Sequence, residues 1–158
     1  MSINTTVFTA SLGALMAEAF GMAATPHGFF LDTGQSGLLG TINQIDAVTA
    51  STPCPVAAET IAAHCGHVRW LLTFFAEHER GENPPPAWAA SWQVQTVDDA
   101  AWATLRQELA DTYTYLQERL QIRTDWHEVA VSAWLMLLAH VSYHVGVIHK
   151  LHSCLKSG

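Results

Sequence analysis

The stretch "LAHVSYHVGVIHKLH", residues 138–152, sets four histidines, at 140, 144, 149 and 152, inside an apolar segment. Working outward, Asp125 with Glu128 three residues later has the form of a capping box. From there to about Leu155 apolar residues recur at helical steps. No Asp, Glu, Lys or Arg occurs from 129 to 149, a run long enough to cross a bilayer. Ser132, Ser142, Tyr143 and two central histidines interrupt it, and no basic cluster flanks it, so a core helix is expected rather than a membrane span.

At about 100° per residue, His140 and His144 lie only about 40° apart. They share a face with Trp126, Val129, Ala133, Met136, Leu137, Val147 and Leu151, and that face is expected to meet the core. His149 points about 180° away from His140 and His152 roughly 120° away, so neither is expected to join the pair. The far side carries Val131, Trp134, Leu135, Leu138 and Val145. A surface helix normally has a polar back, so the N-terminal helix or a second copy must cover this side, and a homodimer is expected.

Upstream, residues 5–23 read as a first helix weakened by Gly13 and Gly21, and "TPHGFFLDTGQSG" (25–37) breaks it. Leu38, Ile42, Ile45 and Val48 describe one face of a shorter helix. Thr52 and Pro53 form an N-cap and first-turn pair for a helix reaching about Arg80, striped by Ile61, His64, Val68, Leu71 and Phe75. Gly81 and "NPPP" stop it. A loop over 82–96 carries Trp88 and Trp92. Thr96 to Asp99 then resembles a capping box opening a helix with Leu105, Leu109, Leu116 and Leu120. No β-period segment or repeat occurs. The fold class expected is all-α: one domain over 1–158, an antiparallel four-helix bundle with an additional N-terminal helix.

The formal charge of −7 with only seven Lys and Arg excludes nucleic acid and acidic lipid surfaces as partners, since both require clustered cations. No Lys or Arg precedes Arg69, so the basic region of a secretory signal is missing and a cytoplasmic location is expected. Cys54, Cys65 and Cys154, odd in number and without paired spacing, read as reduced thiols.

A buried imidazole left unpaired costs on the order of 1–3 kcal/mol, so two on a core face need partners. An i, i+4 pair can aim two nitrogens at one divalent ion. The other reading is that each ring hydrogen-bonds a neighbouring hydroxyl or carbonyl. His64, central in the earlier apolar stripe, is placed to be a third ligand. Three neutral imidazoles leave a coordination position open, as catalytic sites do. His67, about 60° from His64, could be a fourth ligand, a group supporting a ligand or a rim residue, and the rim is the place expected.

"TIAAHCGHVRWLL" (60–72) followed by "AHVSYHVGVI" (139–148) resembles the DinB/YfiT-like superfamily of metal-binding helical bundles. His64 matches that family's first histidine, His140 and His144 its later pair, and Gly146 its glycine. "FFLDTGQSGLLGTINQI" resembles its first bundle helix, so the likeness covers roughly residues 29–155. It implies a dimer holding zinc, nickel or a similar ion and a small-molecule substrate. The reaction classes implied are thiol-dependent transfer, with a low-molecular-weight thiol, isomerisation and hydrolysis. Val145 and Val147 stand where many members carry Arg and Gln, so no particular thiol carries over.

"DTGQSG" lacks the Lys of a phosphate loop and follows no strand, so Asp32 is read as a turn or cap residue, the alternative being that it faces the metal cavity. Cys65 is rotated off His64 and reads as packing. Glu77, Glu79 and Glu82 read as a solvated helix end. Tyr143 points about 100° away from His144. The function expected is a metal-dependent enzyme built on His64, His140 and His144; the alternative is a non-catalytic bundle acting through self-association or partner binding.

Overall fold

The computed structural model describes residues 4–21, 28–32, 34–55 and 57–157. Among them the chain is all-helical: α1 Thr5–Phe20, α2 Leu38–Ile42, α3 Ala47–Ser51, α4 Ile61–Glu79, α5 Asp99–Ile122 and α6 Glu128–Ser157, with a 3₁₀ turn at Trp88–Ala90. α1 and α4 each pack on both α5 and α6. The N-terminal helix is therefore not an appendage: Leu12, Met16, Ala19 and Phe20 are fully buried in the common core. It ends at Phe20, and residues 22 and 23 of its expected extension lie outside the described residues.

Each start has a local cause. The Asn4, Thr60 and Asp98 side chains accept from backbone N–H groups of the first turns of α1, α4 and α5. α4 thus opens at Thr60 rather than Thr52, and α5 at Asp98 rather than Thr96. For α6 the cap is the His127 ring, which accepts from Ala130 N–H at 3.3 Å, not Asp125. α4 closes on Gly81 at φ 82°, with Gly81 N–H donating to His78 O and Glu82 N–H to Glu77 O. Such a left-handed C-terminal turn favours glycine. The single helix expected over Leu38–Val48 is two, because Asp46 caps α3 and breaks the path; Ile45 is buried and Val48 exposed.

The face α6 turns inward differs from the expected one. Trp134, Leu137, Val141, His144, Val145, Ile148 and Leu151 are buried, whereas Val129 and Met136 are exposed and His140 is half-buried. α1 packs on α6, and Trp126, just before α6, donates to Thr9 Oγ1 at 3.0 Å. α6 is long and apolar enough to cross a membrane, yet these buried residues belong to one core with α1, α4 and α5.

Two polar features also depart from expectation. Cys54 and Cys154, read as free thiols, form a disulfide with Cα atoms 6.5 Å apart, and Cys65 alone is a free, buried thiol. Their separation of 100 residues explains why no local spacing announced the pair. Glu79, read as solvated, accepts twice from the Arg123 guanidinium, at 2.6 and 2.7 Å, fastening α4 to the α5–α6 connection.

Glu18 is 5% exposed, and its carboxylate accepts from Phe29, Phe30 and Leu31 N–H at 2.7–2.9 Å. Burial pushes its pKa up, but the three N–H donors together outweigh this and hold it below the usual value. A depressed carboxylate stabilises the fold above its unfolded pKa, and that stability is lost as pH falls through the folded one. Glu18→Gln keeps the shape but removes the charge, and is expected to cost about 1.5–3 kcal/mol at pH 7, read as a urea midpoint shift. An unchanged midpoint would refute the role of this cradle.

Candidate metal centre

α4 and α6 pack together, and their histidines meet where they do. His67 Nε2 lies 3.0 Å from His140 Nε2, and His144 Nε2 lies 3.1 Å from the same atom. One ligand atom from each of these three rings falls within 4.8 Å of the others. Nitrogens bound at tetrahedral angles around one ion at about 2.05 Å are roughly 3.3 Å apart, so the two spacings that meet at His140 are within a few tenths of an ångström of those around an ion.

His64 stands differently. Its Nδ1 faces Nδ1 of His144 at 2.9 Å, on the opposite edge of that ring from the convergence point. The structure thus brings together His140 and His144 with His67, and sets His64 against the other nitrogen of His144. Helical periodicity does not separate the two α4 histidines because the first two turns of α4 have no exposed side. Every residue from Ile61 to Val68 is buried. The segment after the 3₁₀ turn closes over the outer face: a Cβ at Gly66 would meet Val94 Cβ at 2.7 Å, and Thr60 Oγ1 donates to Gln95 O at 2.6 Å. An i, i+3 His pair on a helix buried all round was the only sequence signal for His67.

Without an ion, neutral tautomers can share protons along His67, His140 and His144. His67 Nδ1 is buried and makes no full hydrogen bond. With the three Nε2 lone pairs aimed at an ion, His67 Nδ1 carries the proton and the Ser91 backbone, which favours its protonated form, is the acceptor at hand. By the same tautomer, His144 Nδ1–H donates to His64 Nδ1. A ligand histidine's other nitrogen usually has such a partner. The residues fit a divalent ion of the kind that takes imidazole nitrogen.

Burial keeps the rings neutral. It lowers the pKa of His67 to about 4, helped by the neighbouring His140 and His64, and of His144 to about 3, helped by His140, His64 and His67. Burial also lowers His140, and lowers His64 against the opposing pull of Glu59. Neutral imidazole is the ligating form.

Aromatic rings frame the cluster. The Trp92 indole stacks on His67 at 4.2 Å and stands edge-on to His64 at 5.3 Å. Tyr143 is exposed, its ring edge-on to His144 at 5.0 Å. Trp88 packs on Trp70 at 4.9 Å. Of the other singled-out residues, His149 Nε2 bonds Ser36 O and Thr41 Oγ1, away from the cluster, and exposed Asp32 closes a turn by accepting from Gln35 N–H. Cys65 is buried, which pushes its thiol pKa well up, as a packing residue's would be.

Fold and site together define an all-helical protein with a three-histidine group able to hold a metal. The chain matches no protein-family model, no curated protein and no solved structure.

Proposed function

We propose that the protein is a metal-dependent enzyme in which His67, His140 and His144 hold one divalent ion, zinc or nickel, and leave a coordination position for a small molecule. The observation that carries this is the approach of His67 and His144 Nε2 to His140 Nε2, at 3.0 and 3.1 Å, from two helices. A bound ion supplies a Lewis acid that polarises a carbonyl or lowers the pKa of a water or thiol placed on it. The chain's own part is to keep the rings neutral by burial, to fix the His144 tautomer through His64, and to shield one side with the Trp92 indole.

Transfer, isomerisation or hydrolysis of a small substrate is the reaction class that goes with this site. The resemblance to the DinB/YfiT-like proteins supports it through His140, His144 and Gly146; α1 packs on α5 and α6 in the place the resemblance gave to "FFLDTGQSGLLGTINQI", which departs from it. His67 in place of His64 as the α4 ligand departs from the family pattern. The exposed Val129, Met136 and Tyr143 of α6 support pairing with a second copy, which sedimentation at a single-chain mass would rule out. Elemental analysis of untagged protein tests the reading: one zinc or nickel per chain is expected, and a folded protein that neither carries nor takes up either ion would refute it.

A further inference from the structure

The disulfide Cys54–Cys154 stands outside the histidine centre but closes the loop that contains all four of its rings. Cys54 lies ten residues before His64, in the segment leading into α4, and Cys154 lies on α6 ten residues after His144. The bond therefore ties α6, which carries one half of the centre, to the segment leading into α4, which carries the other. It also lies open to small molecules. Both cysteines line a cleft of about 830 Å³ with Tyr143, Gly146, Val147 and Lys150, ample for a small ligand. The walls are mostly apolar, and among the described lining residues Lys150 is the only charged one. It precedes Cys154 by four residues, so its ammonium shares a helix face with that sulfur. A cation there favours a thiolate, attacking or leaving, and draws an anionic thiol in. Tyr143, shared by the cleft and the edge of His144, joins the two sites.

We propose that this cleft is a thiol–disulfide exchange site for a small anionic thiol, and that opening the bond weakens the histidine centre's hold on its ion. The thiolate attacks Sγ of Cys154, half-buried where Cys54 is buried. The protein S–S bond breaks, a mixed disulfide forms on Cys154, and the electron pair leaves on Cys54 Sγ, which takes a proton from water. A second small thiolate attacks the mixed disulfide, releasing a small-molecule disulfide and the Cys154 thiol. Two electrons pass from two small thiols to the protein. The end of α6 and the approach to α4 then move independently, and rings that must be pre-placed within a fraction of an ångström lose part of their alignment. This second half rests on the metal reading; the exchange itself does not.

The test uses full-length protein purified without reductant and treated with mercaptoethanesulfonate or mercaptoethylamine at equal thiolate concentration, followed by mass spectrometry. The expected result is a mixed disulfide at Cys154 that forms at least about fivefold faster with the sulfonate, a preference reversed in Lys150→Glu. A bond inert to both thiols until the protein is denatured, or equal rates with both, overturns the exchange site. Zinc affinity, measured by competition with a chromophoric chelator, is expected to fall about tenfold on reduction and recover on reoxidation, with Cys54→Ser matching the reduced form. Reversible reduction of the unaltered chain gives the answer even if the variant fails to fold. Equal affinities in both states overturn the coupling. Zinc binding in neither state removes the metal reading and the coupling with it, while the exchange rates still judge the cleft.

Discussion

Replacing His140 with alanine is expected to weaken zinc or nickel binding by roughly 10³-fold or more, a larger loss than the 10–100-fold typical of removing a group that only supports a ligand. His140 Nε2 is the atom both other ligands approach, so its removal leaves two nitrogens with no common third. His67→Ala and His144→Ala are expected to fall in the same range. His64→Ala should lose only about 10–100-fold, because its Nδ1 meets the back of the His144 ring. Affinities from chelator competition, with helical content checked for each variant, decide the ranking. Unfolding supplies a second reading: ion at 1,000 times its dissociation constant stabilises the folded chain by about 4 kcal/mol, and His140→Ala should lose that increment. If His64→Ala proved as damaging as His140→Ala while His67→Ala kept its ion, the assignment of the two α4 histidines would be reversed.

Acid is expected to have the next largest effect, on the ion-free protein. His67 and His144 have folded pKa values of about 4 and about 3, against about 6.5 for an unfolded histidine, since burial and the adjoining rings disfavour their charged forms. Between these values the unfolded chain binds protons that the folded one refuses, so stability is highest above pH 6.5 and falls as pH drops through the window. Each such ring contributes up to about 1.4 kcal/mol per pH unit, and the two together roughly 3 kcal/mol between pH 7 and 5. Below about pH 3 both states are protonated and the slope ends. Glu18 acts lower, below its unfolded value of 4.5, so its window overlaps only the acid end of the histidine window. Urea titrations in chelator at half-unit pH steps check this, with His144→Phe as the variant that roughly halves the slope between pH 7 and 5. A pH-independent midpoint in that range would mean that the rings are charged or solvated in the folded protein.

How much of this could be read from the sequence depended on whether a helix has a polar back. α5 carries charges opposite Leu105, Leu109, Leu116 and Leu120, and those four are buried as its period indicates. α6 has no charge from 129 to 149, so its rotation was free in the pattern. The structure sets that rotation by wedging α6 between α1 and α4, which buries Trp134 and exposes Met136. His140 and His144 survived this uncertainty because a one-turn pair moves together on whatever face it occupies. His67 was legible only as one of several possible roles, because what buries it is the segment around Ser91 to Val94, some 25 residues further along the chain. The disulfide was illegible for the same reason: only the closed fold brings position 54 beside position 154.

The convergence of three rings on one ion is tested most directly by X-ray absorption at the metal edge of zinc-loaded protein. Three imidazole nitrogens at about 2.0 Å, with one further light-atom ligand, are predicted for the unaltered chain, falling to two imidazoles in His67→Ala and remaining three in His64→Ala. A first shell containing fewer than three imidazoles in the unaltered protein, or one that loses an imidazole in His64→Ala and not in His67→Ala, would contradict the account.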